Sequence, residues 1–285
     1  MDSEKEKKGD KIVDKEMDNS ESKDQTRTKT HGEILREQII EGCETYDRSS
    51  RSILLSSFTA GLEIGFSFLM ICSIFGFFEG RVEEDTLFKL IALVYPLGFI
   101  LVVLGQSILF TEQTSLLALP VLSGGRSILS MLKIWGIVIL GNLIGGILIA
   151  LTLSWIGPNL NIFDEGVIAK IGEHYANYDL PTILVSAILA GWLMGLLSWL
   201  VTSSKETTSE ILIIYIITAV MGFAGLHHSI IGNIEIFAGM LVSPEINLLS
   251  YLKVLITALV GNALGATIFV ALLKYRAFVF NVKMP

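Results

Sequence analysis

Residues 97–114 read LGFILVVLGQSILFTEQT, and residues 221–233 read MGFAGLHHSIIGN. Both belong to long apolar stretches interrupted near their middles. The first is interrupted by Gly105-Gln106-Ser107 and Thr111-Glu112-Gln113-Thr114, the second by His227-His228-Ser229 and Gly232-Asn233. Glycine and polar groups at that depth read as a helix broken beside a cavity, because a bilayer interior tolerates unpaired backbone only there. Working outward, six stretches reach the ~20 apolar residues that a spanning helix needs. They are roughly 53–78, 88–119, 128–154, 183–203, 210–242 and 250–273. The two broken stretches are the second and the fifth, each too long for one straight span.

The rest of the composition agrees. Of 285 residues, 52% are hydrophobic and 17% charged, against about 25% charged in soluble domains. The charges crowd at the start: 11 of the 21 Lys/Arg and 14 of the 28 Asp/Glu fall in residues 1–51. This excludes a soluble globular enzyme, and a net charge of −7 without a clustered basic face excludes a nucleic-acid partner. Cys43 and Cys72 make neither a disulfide framework nor a metal knuckle. His31, His174, His227 and His228 show no metal-ligand spacing, so no cofactor or metal is expected. Residues 1–31 mix charges with Ser, Thr, Asn and Gln, and only Ile12 and Val13 are strongly apolar. They are expected to form a disordered cytoplasmic tail without the apolar core of a signal peptide. In residues 32–50, Ile34, Leu35, Ile39, Ile40, Cys43 and Tyr46 follow helical spacing. That predicts an amphipathic helix lying on the membrane surface or a neighbouring subunit. A transport domain over 51–276 and a short cytoplasmic tail over 277–285 complete the division.

Connections after odd-numbered spans are acidic (Glu79, Glu83, Glu84 and Asp85, then Asp164, Glu165, Glu173 and Asp179). Arg48, Arg51, Arg126, Lys133, Lys205, Lys274, Arg276 and Lys283 fall on the other side. The bias places both termini in the cytoplasm. The chain also repeats itself. Ala60-Gly61-x-x-x-Gly65 returns as Ala190-Gly191-x-x-x-Gly195, and Gly141-Asn142-x-x-Gly145 returns as Gly261-Asn262-x-x-Gly265. Leu97-Gly98-Phe99 returns as Met221-Gly222-Phe223. Three spans per copy is an odd number, so the copies lie inverted in the membrane, with the site where the broken helices meet. The expected fold is an all-α integral membrane protein of six transmembrane helices, built as two inverted three-helix repeats.

Ionisable residues near the breaks are Glu63, Glu112, His227, His228 and Glu235. Charge at membrane depth costs at least ~2.5–3.5 kcal/mol, so such groups face a pore or a partner. Histidine is distinctive: neutral imidazole costs less, yet it can donate a proton or become cationic near neutral pH. A carbonyl bond is the plain alternative for either histidine. Adjacent helical positions cannot both face one pore, so His228 is favoured over His227. Glu63 is expected to pack against a neighbouring span, and Glu112 could as easily cap the outgoing half-helix.

The run Leu97-Gly98-Phe99 through Leu109-Phe110-Thr111 resembles the second-span signature of the formate/nitrite transporter family. The segment Gly222-Phe223-Ala224-Gly225-Leu226-His227-His228-Ser229 resembles its fifth-span signature, usually G-F-E-H-S. Gly141-Asn142 and Ala190-Gly191-Trp192-Leu193 with Trp199 resemble the third and fourth spans, and the likeness covers roughly 33–276. The resemblance implies an aquaporin-like fold, a homo-pentamer with one pore per protomer, and passage of small monovalent anions or their acids across a bacterial inner membrane. It implies an apolar constriction at Leu109 and Phe110, a polar loop residue at Thr111 and a central His228, with His227, Ser229 and Asn233 beside it. Three departures touch the filter. The usual Glu before the histidine is His227, Gly191 replaces an Asn, and Asn233 falls one place late. An aquaporin-like pore for small neutral solutes is the first rival, since the filter has lost a carboxylate. An intramembrane enzyme lacks a nucleophile–base or metal set. A purely structural or sensory protein would not need two broken helices.

Overall fold

A computed structural model describes residues 28–283, with side chains as far as Phe280. The expected tail therefore lies, up to Arg27, outside the described residues. Among those described, every regular element is helical. Thr30 and Glu33 form a capping box that starts α1 (His31–Asp47), and Ser49 caps the next helix, α2 (Ser50–Phe78). The second stretch begins earlier than its hydropathy suggests, as α3 (Glu84–Leu90), a 3-10 turn (Ile91–Leu93) and α4 (Leu97–Leu104). It breaks at residues 105–109 and resumes as α5 (Phe110–Leu122). Then come α6 (Ile128–Asn159), the connecting α7 (Glu165–Ala176), α8 (Leu180–Ser203) and α9 (Thr207–Ala224). Gly225, at φ +63°, closes α9 in a left-handed conformation that an L side chain adopts only with strain. After this second break come α10 (Ser229–Val242) and α11 (Leu248–Ala266). A π-helical turn (Thr267–Leu272) joins α11 to α12 (Leu273–Lys283).

Among the described residues, six helical stretches are long and apolar enough to cross a membrane: Ser50–Phe78, Glu84–Leu104, Ile128–Asn159, Leu180–Ser203, Thr207–Ala224 and Leu248–Phe280. Their packing follows the repeated small residues. A Cβ at Gly61 of α2 would collide with the Asn142 carbonyl and lie 3.0 Å from the Cα of Gly145 on α6. Gly191 of α8 meets Asn262 on α11 in the same way. Only glycine lets these two helix pairs approach so closely.

The start of the second stretch lies beside α9, the first half of the fifth. Lys89 donates to the Phe223 carbonyl (2.9 Å), and the Tyr215 hydroxyl donates to that of Leu93 (3.2 Å). The two broken stretches therefore run antiparallel, as the matched repeats require.

The N-terminal helix rests on its own chain. Gln38 donates to Ser198 (3.0 Å) and Thr202 (3.2 Å) of α8, and the Tyr46 hydroxyl donates to the Leu117 carbonyl of α5 (2.8 Å). Leu35 and Gln38 are fully buried there. Its apolar stripe thus covers α5 and α8 of the same protomer.

Candidate functional site

Two breaks free backbone groups at mid-depth, and the fold satisfies them twice in the same way. On the first break, Asn142 of α6 accepts from the Phe110 N–H (2.8 Å) and donates to the carbonyls of Ser57 (2.7 Å) and Ile108 (2.9 Å). On the second, Asn262 of α11 accepts from the Ser229 N–H (2.8 Å) and donates to those of Ala187 (2.8 Å) and His227 (3.0 Å). Ser56 Oγ accepts from the Ile108 N–H (3.1 Å), and Ser186 Oγ accepts from the His227 N–H (3.0 Å). Both asparagines are completely buried.

These clamps bring two helix N-termini together. Thr111 is the second residue of α5, and His228 is the N-cap of α10. Thr111 Oγ1 and His228 Nε2 are hydrogen-bonded at 2.7 Å, and neither residue reaches solvent. The Phe99 ring of α4 stands edge-on to the imidazole, 4.9 Å between centroids. The Tyr175 hydroxyl of α7 donates to the His228 carbonyl (3.0 Å). Two polar atoms at this junction, His228 Nδ1 and Ser229 Oγ, are buried with no partner among the described residues. Helix N-termini carry partial positive charge, so the junction is a small positive pocket with an unused imidazole nitrogen.

A cavity lies on either side. One, about 520 Å³, sits beneath α1 and is lined by Ser107, Glu112, Gln113, Glu41, Glu210 and Arg48 among others. Burial and the adjacent Glu44 raise the Glu41 carboxyl above its ordinary range. The other, about 370 Å³, opens beside α7 and is lined by Tyr95, Tyr175, His174, His227 and Glu235 among others. There His174 stacks on Phe88, 3.7 Å between ring centroids. Burial draws this imidazole below its usual value, with Glu84 opposing.

Of the residues singled out in the sequence, Thr111, His228 and Ser229 meet at the junction. Leu109 and Phe110 are buried at the first break, the Phe110 ring edge-on to Trp135 of α6 (5.9 Å). His227 turns away from His228. Its ring is held by Ser186 Oγ (2.9 Å) and the Tyr175 carbonyl (3.1 Å), and it faces the α7-side cavity. Asn233 is committed to packing: it accepts from the Tyr251 hydroxyl (2.6 Å) and reaches toward the Leu143 carbonyl. Glu63 pairs with Ser107 beside the first break and keeps one buried carboxyl oxygen unpartnered. Glu112 lines the α1-side cavity, while Asn142 rather than a capping carboxylate holds the start of α5. The Asn142 and Asn262 clamps, Phe99 and Tyr175 were not foreseen as parts of a site. No group of three or more His, Cys, Asp or Glu able to hold a metal occurs among the described residues.

A formate/nitrite transporter family model matches residues 32–276. The chain belongs to the formate/nitrite transporter family. It is 26% identical over 261 residues to the inner membrane protein YfdC of Escherichia coli, covering 88% of this chain and 80% of that one. It is 26% identical over 184 residues to the nitrite transporter NirC of Salmonella typhimurium, covering 65% of this chain and 66% of that protein. It is 21% identical over 248 residues to the formate channel BtFdhC of Bacillus thuringiensis, covering 86% and 95%. A solved FNT family ion channel shares the fold with TM-score 0.77 at 22% identity, covering 86% of this chain and 98% of its own. A pentameric formate channel with formate bound does so with TM-score 0.69 at 21% identity, covering 81% and 98%. The family is one of channels and transporters.

Proposed function

We propose that each protomer passes a small monovalent anion, of formate, nitrite or hydrosulfide size, between its two cavities through the Thr111–His228 junction, alone or with a proton. One observation carries this reading: His228 Nδ1 is buried without a partner where two helix N-termini converge. In the tautomer where Thr111 donates to Nε2, the neutral imidazole holds its proton on Nδ1, free to donate to a solute. An anion entering a dry constriction loses its hydration, which is very costly for an uncompensated charge. A hydrogen-bond donor and two positive helix ends offset part of that cost without a fixed charge to trap the ion. Leu109 and Phe110 supply the apolar wall at the first break, and Ser229 a second hydroxyl. His227 and Asn233 act at one remove, by shaping the second break.

The names of the relatives support the choice of solute, and the pentameric neighbour supports a homopentamer with one pore per protomer. The lysine and arginine bias supports both termini in the cytoplasm. An inner membrane relative supports a bacterial inner membrane. Residues 51–276 act as the transport unit, with α1 as its docked helix. The second reading, an aquaporin-like pore for neutral solutes, is favoured by the carboxylates Glu41, Glu44, Glu112 and Glu210 around the α1-side cavity, which carries one arginine, Arg48. Proteoliposome flux separates the two. Formate and nitrite should move faster than urea or glycerol; faster movement of the neutral solutes would overturn the anion reading.

A further inference from the structure

Glu235 lies seven residues beyond His228, which puts it about two turns along α10 on nearly the same face. Its carboxyl lines the α7-side cavity, and the residue is only 5% exposed. Among the described residues it has no hydrogen bond and no ion pair. A buried carboxylate in that position must be compensated by a proton or by a cation. Lys89, the lysine lining this cavity, is already committed: its ammonium donates to the Phe223 carbonyl at 2.9 Å and sits 5.0 Å over that ring. The walls around Glu235 are largely aromatic, with the imidazoles of His174 and His227 and a few aliphatic side chains among them. Tyr95 and Tyr175 stand beside it, and Phe88 and Tyr178 close the cavity toward solvent, where Asp85 adds a second, exposed carboxylate.

Carboxylate and ring faces together suit a particular chemistry. Ring faces attract cations electrostatically, and a carboxylate accepts N–H donors in charge-assisted hydrogen bonds. A metal ion wants several ligands in one shell, and no group of three or more His, Cys, Asp or Glu able to hold one occurs among the described residues. At about 370 Å³ the cavity is larger than an ammonium ion needs and fits a short alkyl chain. We propose that the α7-side cavity is a binding site for a small primary amine in its ammonium form, held by Glu235 at its floor and by the tyrosine and phenylalanine rings at its walls. This goes beyond anion passage, and its test does not depend on flux.

The test is saturation-transfer-difference NMR on the full-length protein in nanodiscs, with n-propylammonium as probe, 1-propanol as its neutral isostere and protein-free nanodiscs as blank. The probe should give a saturable signal that propanol lacks. Glu235→Gln, close to isosteric, should weaken binding at least tenfold, and Tyr178→Leu, on the exposed rim, several-fold. Glu210→Gln in the opposite cavity should leave it unchanged. A signal no stronger than that of propanol, or one unaltered in a correctly assembled Glu235→Gln protein, would overturn the proposal and leave Glu235 as a carboxyl satisfied by its own proton.

Discussion

Asn262→Leu is the sharpest structural perturbation available. One amide satisfies three backbone groups: the Ser229 N–H at 2.8 Å, the Ala187 carbonyl at 2.8 Å and the His227 carbonyl at 3.0 Å. Leucine keeps the branched outline of four heavy atoms, with bulkier methyl ends, and makes none of these bonds. An orphaned buried group costs about 1–3 kcal/mol, so three would cost roughly 3–9 kcal/mol. The upper end is too high, because the Ala187 carbonyl lies within α8 and a carbonyl with one remaining helical partner suffers less. The Ser229 N–H and the His227 carbonyl, both at the break, bear most of the loss. A destabilisation of about 3–5 kcal/mol is expected, at the severe end for a single substitution. In thermal unfolding of the assembled protein in detergent, that corresponds to a drop on the order of 10 °C. The exposed control Thr59→Ala, which loses one bond to the Leu55 carbonyl, should stay within about 0.5 kcal/mol of the parent. Because the first break is held the same way, Asn142→Leu should cost a comparable amount. If Asn262→Leu melts within a degree or two of the parent, the clamp does not hold the break, and the paired-break account of the site fails with it.

Three further outcomes follow from the same picture. Single cysteines at Asp164 and Glu84 should react with an impermeant reagent from outside and one at Lys205 from inside; the reverse pattern would invert the topology. Burial holds His174 below the ordinary imidazole value of 6.5, so its neutral form favours the folded state. The stability it contributes is complete above about pH 6.5 and is lost as pH falls through the lower folded value; His174→Gln should flatten the melting-temperature profile below pH 6.5, and an unchanged slope would remove His174 from that role. Deleting residues 1–27 should leave insertion and melting unaltered, since their composition supplies almost no apolar surface for a core; loss of assembly on deletion would show the tail to be structural.

The six spans and their pairing were legible because they rest on features that short-range sequence carries: apolar length, and small residues at matched spacing. Gly61 could be matched to Gly191 and Gly145 to Gly265 by eye; the structure then sets Gly61 against α6 and Gly191 against α11 at matching helix crossings. The Gly-Asn repeat was legible too, but only as packing. Asn142 and Asn262 act on backbone groups more than 30 residues away, and nothing in a linear pattern tells an amide which break it will meet. The contacts of Asn233 could not be read from its place in the motif, for a geometric reason. Five positions past His228 is about 140° round the helix, which turns it toward Tyr251. Glu235, seven positions on, returns to the His228 face, a signal that was present and not used. Tyr175 could not have been found, since it comes from a connecting helix and touches His228 only through main chain. The N-terminal stripe showed that α1 is amphipathic but not what it covers; only the fold shows that its own α5 and α8 provide that surface.

The central claim is that solute passes the imidazole of His228, and flux through a variant of that residue tests it most directly. Formate and nitrite uptake into proteoliposomes should be followed by stopped flow from pH 5 to 8, for the parent and for His228→Asn, with assembly verified by size exclusion and melting temperature. His228→Asn should change the rate, since it removes the imidazole that the solute passes at the junction. His227→Ala, whose ring is held by Ser186 and Tyr175 away from the junction, should have the smaller effect. A correctly assembled His228→Asn protein with the parent's rate would contradict the account and hand the lead to the neutral-solute pore.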